Sequence, residues 1–181
     1  MIHCQGYCHP HPPHKDNILG SIMASLPSLP ATLSPALSGR DAIADALYRC
    51  VLGLDTNDLA LFDSAFTPTA TFSINGQVSE GLPAIHTDCF ITIAKLDTTH
   101  FLSNIRINIA DDGTKASATA SALSQHYRAG KGLQPGQPRF LAGSLYYVDL
   151  VKEEANDLWK IETFKLQSTW AEGDWGVMAG N

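Results

Sequence analysis

One histidine ends a run of small residues whose alternation is typical of a β-strand. Residues 115–128 read KASATASALSQHYR. Because side chains alternate between the two faces of a strand, His126 shares a face with a row of alanines and with Ser124. Small residues on the inner face of a curved sheet leave a hollow, and imidazole is well suited to proton transfer near neutral pH. The pattern favours a proton-transfer group beside a cavity, although a histidine packed within a core would give the same pattern.

The composition limits the class of protein. The chain has 181 residues, 44% of them hydrophobic, which suits one domain with a real core. Its formal net charge is −6 with only 12 lysines and arginines. Without a basic cluster, neither nucleic acid nor an anionic membrane is an expected partner. No apolar run approaches the roughly 20 residues of a membrane-spanning helix. A small molecule is the expected partner.

The N-terminal part differs in composition from the rest of the chain. Residues 1–37 are rich in Pro, Ser and His and show no sustained periodicity, which predicts a flexible tail before a domain at 38–181. The tail carries the possible metal ligands Cys4, Cys8, His9, His11 and His14. Their spacing matches no standard zinc pattern, so we expect no metal there. The four cysteines of the chain form no disulfide framework, which favours a reducing cytoplasmic location.

The remaining periodicities predict an α+β fold. Helical spacing covers residues 38–54, 59–66 and 83–96, and a short strand at 69–74 ends at an Asn-Gly turn. Four further strands are predicted at 99–110, 115–126, 139–151 and 158–170. This order predicts a cone-shaped, curved antiparallel sheet packed against the N-terminal helices. Strict alternation along the strand at 99–110 places His100 and Asn104 on one face, opposite Ile105, Ile107 and Ile109.

Four short stretches resemble the SnoaL-like, scytalone dehydratase-like group of the nuclear transport factor 2-like superfamily. They are LYRCVLGLD at 47–55, TTHFLSN at 98–104, SQHY at 124–127, and WKI at 159–161 followed by TWAEG at 169–173. The resemblance spans about residues 38–175. It implies the cystatin-like α+β barrel of that superfamily and chemistry that needs no cofactor.

The same resemblance implies roles for three residues. Asp55 matches the aspartate that faces the cavity in this group, and His100 and His126 match its two histidines. Two positions depart from the pattern. Cys50 stands where a bile acid dehydratase-like pattern has tyrosine, and Ala142 and Ser144 stand where scytalone dehydratase has serine and asparagine. These departures speak against scytalone itself as the substrate.

A His/His/Asp set suits elimination of water next to a carbonyl, or the shift of a double bond. Both reactions need a base for an acidic C–H and an acid for an oxygen. Asp55 could orient either histidine, as carboxylates do for catalytic histidines. Tyr146, which shares a face with Ser144, could polarise a carbonyl. The three residues would also suit non-haem iron, but the resemblance points to cofactor-free chemistry.

The remaining candidates for substrate binding are less specific. Asn104 and Lys165 are candidates for side chains that point towards the cavity, although an exposed lysine at a strand edge would explain Lys165 better. Trp170 is expected at the cavity mouth or in a subunit contact. Cys50, Ser144 and Tyr146 complete the predicted substrate-binding set. The chain has no Gly-rich phosphate loop and no Gly-x-Ser-x-Gly nucleophile elbow.

These residues predict a cofactor-independent lyase or isomerase acting on a small, apolar natural-product intermediate of secondary metabolism. The alternatives are a non-catalytic small-molecule-binding or interaction module on the same fold, and an epoxide hydrolase or cyclase. Apolar residues on both faces of the last two strands predict a homodimer or homotrimer formed through the sheet.

Overall fold

The computed structural model describes residues 28–179, so the predicted metal ligands of the tail lie outside the described residues. Regular structure begins with helix α1 (Gly39–Asp55), followed by α2 (Leu59–Ser64). The next helical segment is α3 (Leu82–Ile85), which continues through a π-helical turn (His86–Phe90) into α4 (Ile91–Ile93). A last short helix, α5, covers Gly176–Ala179. None of these helices is long and apolar enough to cross a membrane.

Six strands form one curved, open sheet. They are β1 (Phe66–Ile74), β2 (Gln77–Glu80), β3 (Asp97–Ile109), β4 (Lys115–Tyr127), β5 (Arg139–Lys152) and β6 (Trp159–Gly173). Their order across the sheet is β2-β1-β6-β5-β4-β3. Every neighbouring pair is antiparallel except β1 and β6, which run parallel. The predicted α+β class is confirmed, while β2, α5 and the parallel pair are features that the sequence patterns did not reveal.

Helix α1 lies across the sheet and delivers Asp55 to its inner face. Its apolar residues recur at helical spacing, so one side is buried against β3 and β6. Near its end a Cβ on Gly53 would lie only 2.6 Å from the backbone nitrogen of Phe62, so the close packing of α2 requires glycine there. Asp55 is the last helical residue. A carboxylate at this end is disfavoured by the helix dipole, so another interaction must hold it.

The inner face of β4 carries the predicted row of small side chains. The alanines at 116, 118, 120 and 122 and the imidazole of His126 are all buried. In the antiparallel register, His126 lies opposite Thr98 on β3 and Phe140 on β5. Ser124, one inner position earlier, lies opposite His100. The alternation predicted for β4 is therefore confirmed, and it brings the two histidines onto the same face of the sheet.

A bulge in β3 overturns the predicted alternation of that strand. The register of β3 with β4 shifts between Ser103 and Arg106, and Asn104 has a positive φ of 52°. A bulge adds one residue to the strand, which exchanges the faces on its two sides. His100 therefore lies on the same inner face as Ile105 and the isoleucines at 107 and 109, against the prediction. Asn104 points outward, with its Nδ2 3.3 Å from Ser121 Oγ.

The bulge makes Asn104 a test of local strain. Asparagine tolerates the left-handed region, glycine adopts it freely, and a β-branched side chain does so only at a cost. We expect the Asn104→Val variant to be less stable than Asn104→Gly by about 1–2 kcal/mol in its free energy of unfolding. Urea denaturation of the two variants measures this difference. Equal stabilities would show that the bulge does not hold this backbone conformation in solution.

The outer face of the sheet keeps several large apolar side chains exposed. Phe101, Leu123 and Trp170 lie in one row across the strands. Leu145 and Tyr147 lie on β5, on the same outer face. By contrast, Ile161 and Phe164 on β6 are buried in the core. The outer residues are consistent with a covered surface in an oligomer. The predicted homodimer or homotrimer stays a prediction.

Candidate active site

A cavity of about 150 Å³ lies between the inner face of the sheet and the helices. Aromatic rings and aliphatic side chains form most of its wall, and the polar groups are few. The apolar lining comprises Val51, Leu54, Phe72, Ile74, Ile93, Phe140, Ala142, Phe164, Leu166, Trp175 and Met178. The other lining residues are Cys50, Cys89, Asn75, His100, Ser124, His126, Ser144, Tyr146 and Ser168. No lysine or arginine lines the cavity among residues 28–179, so it suits an uncharged ligand.

Asp55 contacts His100, a residue of the cavity wall, at two points, and Asp55 itself is not among the lining residues. Asp55 Oδ2 accepts the backbone N–H of His100 at 2.8 Å, and Asp55 Oδ1 lies 2.6 Å from His100 Nδ1. Both side chains are largely buried, at 11% and 8% exposure. A carboxylate can only accept here, so the Nδ1 of the imidazole carries the proton. The other ring nitrogen, Nε2, has no protein partner in the described part of the chain and is available to accept a proton.

His126 occupies the neighbouring position in a different environment. Its side chain is buried, with 3% exposure, and its Nδ1 lies 2.7 Å from Thr98 Oγ1. The ring packs on Phe140, whose other neighbour is Trp175. Burial, followed by the repulsion of nearby His100, lowers the pKa of His126 to about 4. His126 is therefore a neutral imidazole at neutral pH.

This lowered pKa predicts a loss of stability in acid. An unfolded histidine titrates near 6.5, so between that pH and about 4 the unfolded chain binds a proton that the folded chain does not. Stability is then fully present above pH 6.5 and falls as the pH drops towards 4, by about 3 kcal/mol in total. We expect urea titrations to show this loss in the wild type and a smaller loss in His126→Gln. An identical acid dependence in the two proteins would contradict the lowered pKa.

The two imidazoles face each other across a short gap. Their ring centroids lie 5.4 Å apart with an interplanar angle of 72°. The ring of His100 contacts a carboxylate and the ring of His126 contacts a hydroxyl, so the two histidines of one cavity have different hydrogen-bond partners. This is the arrangement in which one group can remove a proton while the other holds an oxygen.

Three further predicted residues join the cavity. Ser144 and Tyr146 are buried residues at successive inner positions of β5, and Cys50 lies on α1. Burial is the largest cause of the raised pKa values of Cys50 and Tyr146, so both keep their protons at neutral pH. Burial likewise raises the pKa of Cys89 to about 12. These groups are hydrogen-bond donors rather than nucleophiles at neutral pH.

Asn104, Lys165 and Trp170 were predicted near the substrate, and the structure places all three outside the cavity. The bulge in β3 turns Asn104 outward. Lys165 lies on the outer face of β6, with Nζ 5.7 Å from the ring centroid of Tyr147. Trp170 is 49% exposed and lies against Gly143, where a Cβ would fall 2.3 Å from the indole. The prediction that Asn104 and Lys165 face the cavity is wrong because both point to the outer face. Trp170 is not at the cavity mouth, and its predicted alternative, a subunit contact, stays a prediction.

The structure also adds residues that the sequence patterns missed. Thr98 contacts His126, and Phe140 and Trp175 form an aromatic column beside it. Asn75, which follows β1, and Ser168 on the neighbouring strand β6 also line the cavity, and Asn75 Oδ1 accepts the Ser168 N–H at 2.8 Å. If β3 and β4 are paired so that Ser124 lies opposite His100, Thr98 falls opposite His126. No local sequence pattern determines that register, so the sequence did not predict the contact.

The described residues contain no group of three or more His, Cys, Asp and Glu side chains placed to hold a metal ion. Asp55 and the two histidines therefore do not form such a group. The expectation that no metal or cofactor takes part stays a prediction.

Comparison with known proteins shows the family of the chain. A family model described as a SnoaL-like domain matches residues 35–165. The terrestric acid biosynthesis cluster protein E of Penicillium crustosum is 54% identical over 151 residues, which cover 83% of this chain and 96% of that protein.

Solved structures with low sequence identity share the fold. A scytalone dehydratase-like protein from Novosphingobium aromaticivorans has a TM-score of 0.63 and 21% identity, over 75% of this chain and 87% of that one. A hexachlorocyclohexane dehydrochlorinase from Novosphingobium barchaimii has a TM-score of 0.60 and 17% identity, over 76% and 91%. A nuclear transport factor 2-like superfamily protein from Salmonella enterica has a TM-score of 0.60 and 17% identity, over 71% and 89%. The chain belongs to the SnoaL-like family, and it shares its fold with the nuclear transport factor 2-like superfamily protein.

Proposed function

We propose that this protein is a cofactor-independent lyase or isomerase that acts on a small, largely apolar natural-product intermediate. The observation that carries the proposal is the Asp55–His100 contact at the wall of an apolar cavity. A carboxylate that fixes the tautomer of a histidine leaves a basic nitrogen facing the ligand, as in other proton-transfer sites. The buried surroundings strengthen this interaction because they exclude water.

The proposed reaction starts with proton removal. His100 Nε2 takes a proton from a carbon next to a carbonyl, and Asp55 stabilises the imidazolium that forms. In dehydration, a C–O bond breaks on the neighbouring carbon, a C=C bond forms, and His100 returns its proton to the departing oxygen as water. In isomerisation, the proton returns to another carbon instead. His126 lies beside His100 and holds the oxygen that gains negative charge.

Two hydroxyls complete the proposed substrate site. Ser144 and Tyr146 are almost fully buried, line the cavity and have no hydrogen-bond partner within the described residues. Their hydroxyls face the cavity, where a ligand oxygen could accept hydrogen bonds from them. We propose that they bind a carbonyl oxygen, with the thiol of Cys50 filling the adjoining wall.

The relative from Penicillium crustosum supports the biosynthetic setting, since its name places it in the cluster for terrestric acid. Two structural neighbours carry the names of enzymes that eliminate water or hydrogen chloride, but they are similar to this chain in fold alone. The fold therefore accommodates elimination chemistry in other proteins, and the residues of this cavity support it here.

Metabolite comparison tests the proposal. A strain that lacks the gene should accumulate one compound relative to its parent, and purified protein should convert that compound in the presence of a chelator. The expected product has lost one water or is an isomer of the same mass. Binding of the compound without any conversion would contradict the enzymatic proposal and favour a ligand-binding module. A product that has gained water would instead indicate epoxide hydrolysis, and cyclisation would be recognised from the structure of an isomeric product.

A further inference from the structure

Thr98 and His126 are directly opposite residues on the inner faces of β3 and β4. Their side chains meet through Thr98 Oγ1 and His126 Nδ1, which lie 2.7 Å apart. Both strands are long and paired along most of their length, so the backbone fixes this contact without help from a loop. The contact therefore constrains which nitrogen of His126 carries the proton of the neutral ring.

The direction of this hydrogen bond follows from what each atom can do. The threonine hydroxyl carries one hydrogen, and His126 is its only partner within residues 28–179. If Thr98 accepted a proton from Nδ1, its own hydrogen would lack a protein acceptor. If Thr98 donates to Nδ1, the hydrogen without a protein partner is instead the one on His126 Nε2. His126 lines the cavity and Thr98 does not, so a ligand or water in the cavity can accept that hydrogen. Donation by Thr98 is thus the better-satisfied arrangement.

We propose that Thr98 is a positioning residue that holds His126 as a neutral imidazole with its proton on Nε2, directed into the cavity. His100 has the opposite arrangement, because its protonated Nδ1 donates a hydrogen bond to Asp55 and its Nε2 is left as an acceptor. The cavity then presents one acceptor nitrogen and one donor N–H on rings 5.4 Å apart.

One acceptor nitrogen and one donor N–H together determine the orientation in which a ligand binds. A ligand fits when it places an acidic C–H at His100 and an oxygen that can accept a hydrogen bond at His126. Since the lowered pKa of His126 keeps its ring neutral at neutral pH, the donor is present without protonation from solvent. The tautomer assignment rests on the structure alone, while its use in catalysis rests on the proposed function.

Nitrogen NMR of the histidine rings tests the assignment without any substrate. In the wild type, His126 should show a protonated Nε2 and an unprotonated Nδ1. Thr98→Ser should preserve this pattern, while Thr98→Val should shift His126 towards a mixture of the two tautomers. A wild-type ring protonated on Nδ1, or an unchanged pattern in Thr98→Val, would overturn the assignment. His100 serves as the internal reference, since a protonated Nε2 on that ring would contradict the proposed function and not the role of Thr98.

Kinetics with the compound accumulated in the deletion strain provides a second readout. Thr98→Val should lower kcat by about tenfold with little change in KM, because the ring remains in place but its donor is lost for part of the population. Thr98→Ser should restore most of the rate. A loss in Thr98→Ser with an unchanged rate in Thr98→Val would show that the threonine acts through packing alone and would overturn its positioning role.

Discussion

Replacing Asp55 by asparagine is expected to lower turnover by ~10²–10⁴-fold, the range that a positioned acid or base contributes. The carboxylate accepts two hydrogen bonds from His100, one from its backbone N–H and one from Nδ1. Asparagine has one oxygen and one NH₂ group, so it cannot accept both. If the amide oxygen keeps the backbone N–H, the NH₂ group faces Nδ1 and forces the ring proton onto Nε2. The nitrogen that faces the cavity then ceases to be a base.

A second His–Asp pair in the same chain provides a matched control. His86 Nε2 lies 2.6 Å from Asp63 Oδ1, the same distance as in the cavity pair, but neither residue lines the cavity. Asp63→Asn should leave turnover of the accumulated compound unchanged. Equal losses in Asp55→Asn and Asp63→Asn would indicate that either change acts through stability, and would contradict a specific role for Asp55. His100→Ala should match Asp55→Asn in its effect, and the double variant should lose little more, because the two residues act as a unit.

Replacing His126 by alanine is expected to lower turnover by ~10²-fold or more through loss of the group that holds the reacting oxygen. The substitution also leaves a space beside Phe140, next to the cavity. Added imidazole should enter this space and restore part of the rate, which a purely structural defect would not allow. Steady-state kinetics with and without imidazole measure both effects. Unchanged turnover in His126→Ala would remove His126 from the reaction, and His86→Ala is the control for loss of a histidine elsewhere.

Much of this site could be predicted because β4 follows a simple rule. Its alternation of small and polar residues is uninterrupted, so the face of His126 was correctly predicted. β3 looks equally regular in sequence, yet one extra residue at its bulge exchanges the faces beyond it. The prediction for Asn104 was therefore wrong. Asparagine is among the residues that adopt a positive φ, but it does so in turns as well as in bulges, so it did not identify this bulge.

The other missed features depend on contacts between distant segments. Lys165 and Trp170 lie on β6, where the register with β5 shifts twice, and no local pattern fixes which face they take. Thr98 meets His126 only because the two strands pair in one register. The Asp55–His100 contact likewise requires the end of α1 to reach the beginning of β3. The sequence indicated that Asp55 could orient either histidine, and only the folded chain shows that its partner is His100.

Proton removal from carbon by His100 is the central claim, and a small chromogenic probe tests it directly. The ring of 5-nitrobenzisoxazole opens to a coloured phenolate when a base removes its C–H proton, so the reaction needs neither the natural substrate nor a cofactor. With a chelator present, wild-type protein and Asp63→Asn should open the probe at equal rates, and His100→Ala should be slower by ~10²-fold or more. A wild-type rate no faster than that of His100→Ala would contradict the account.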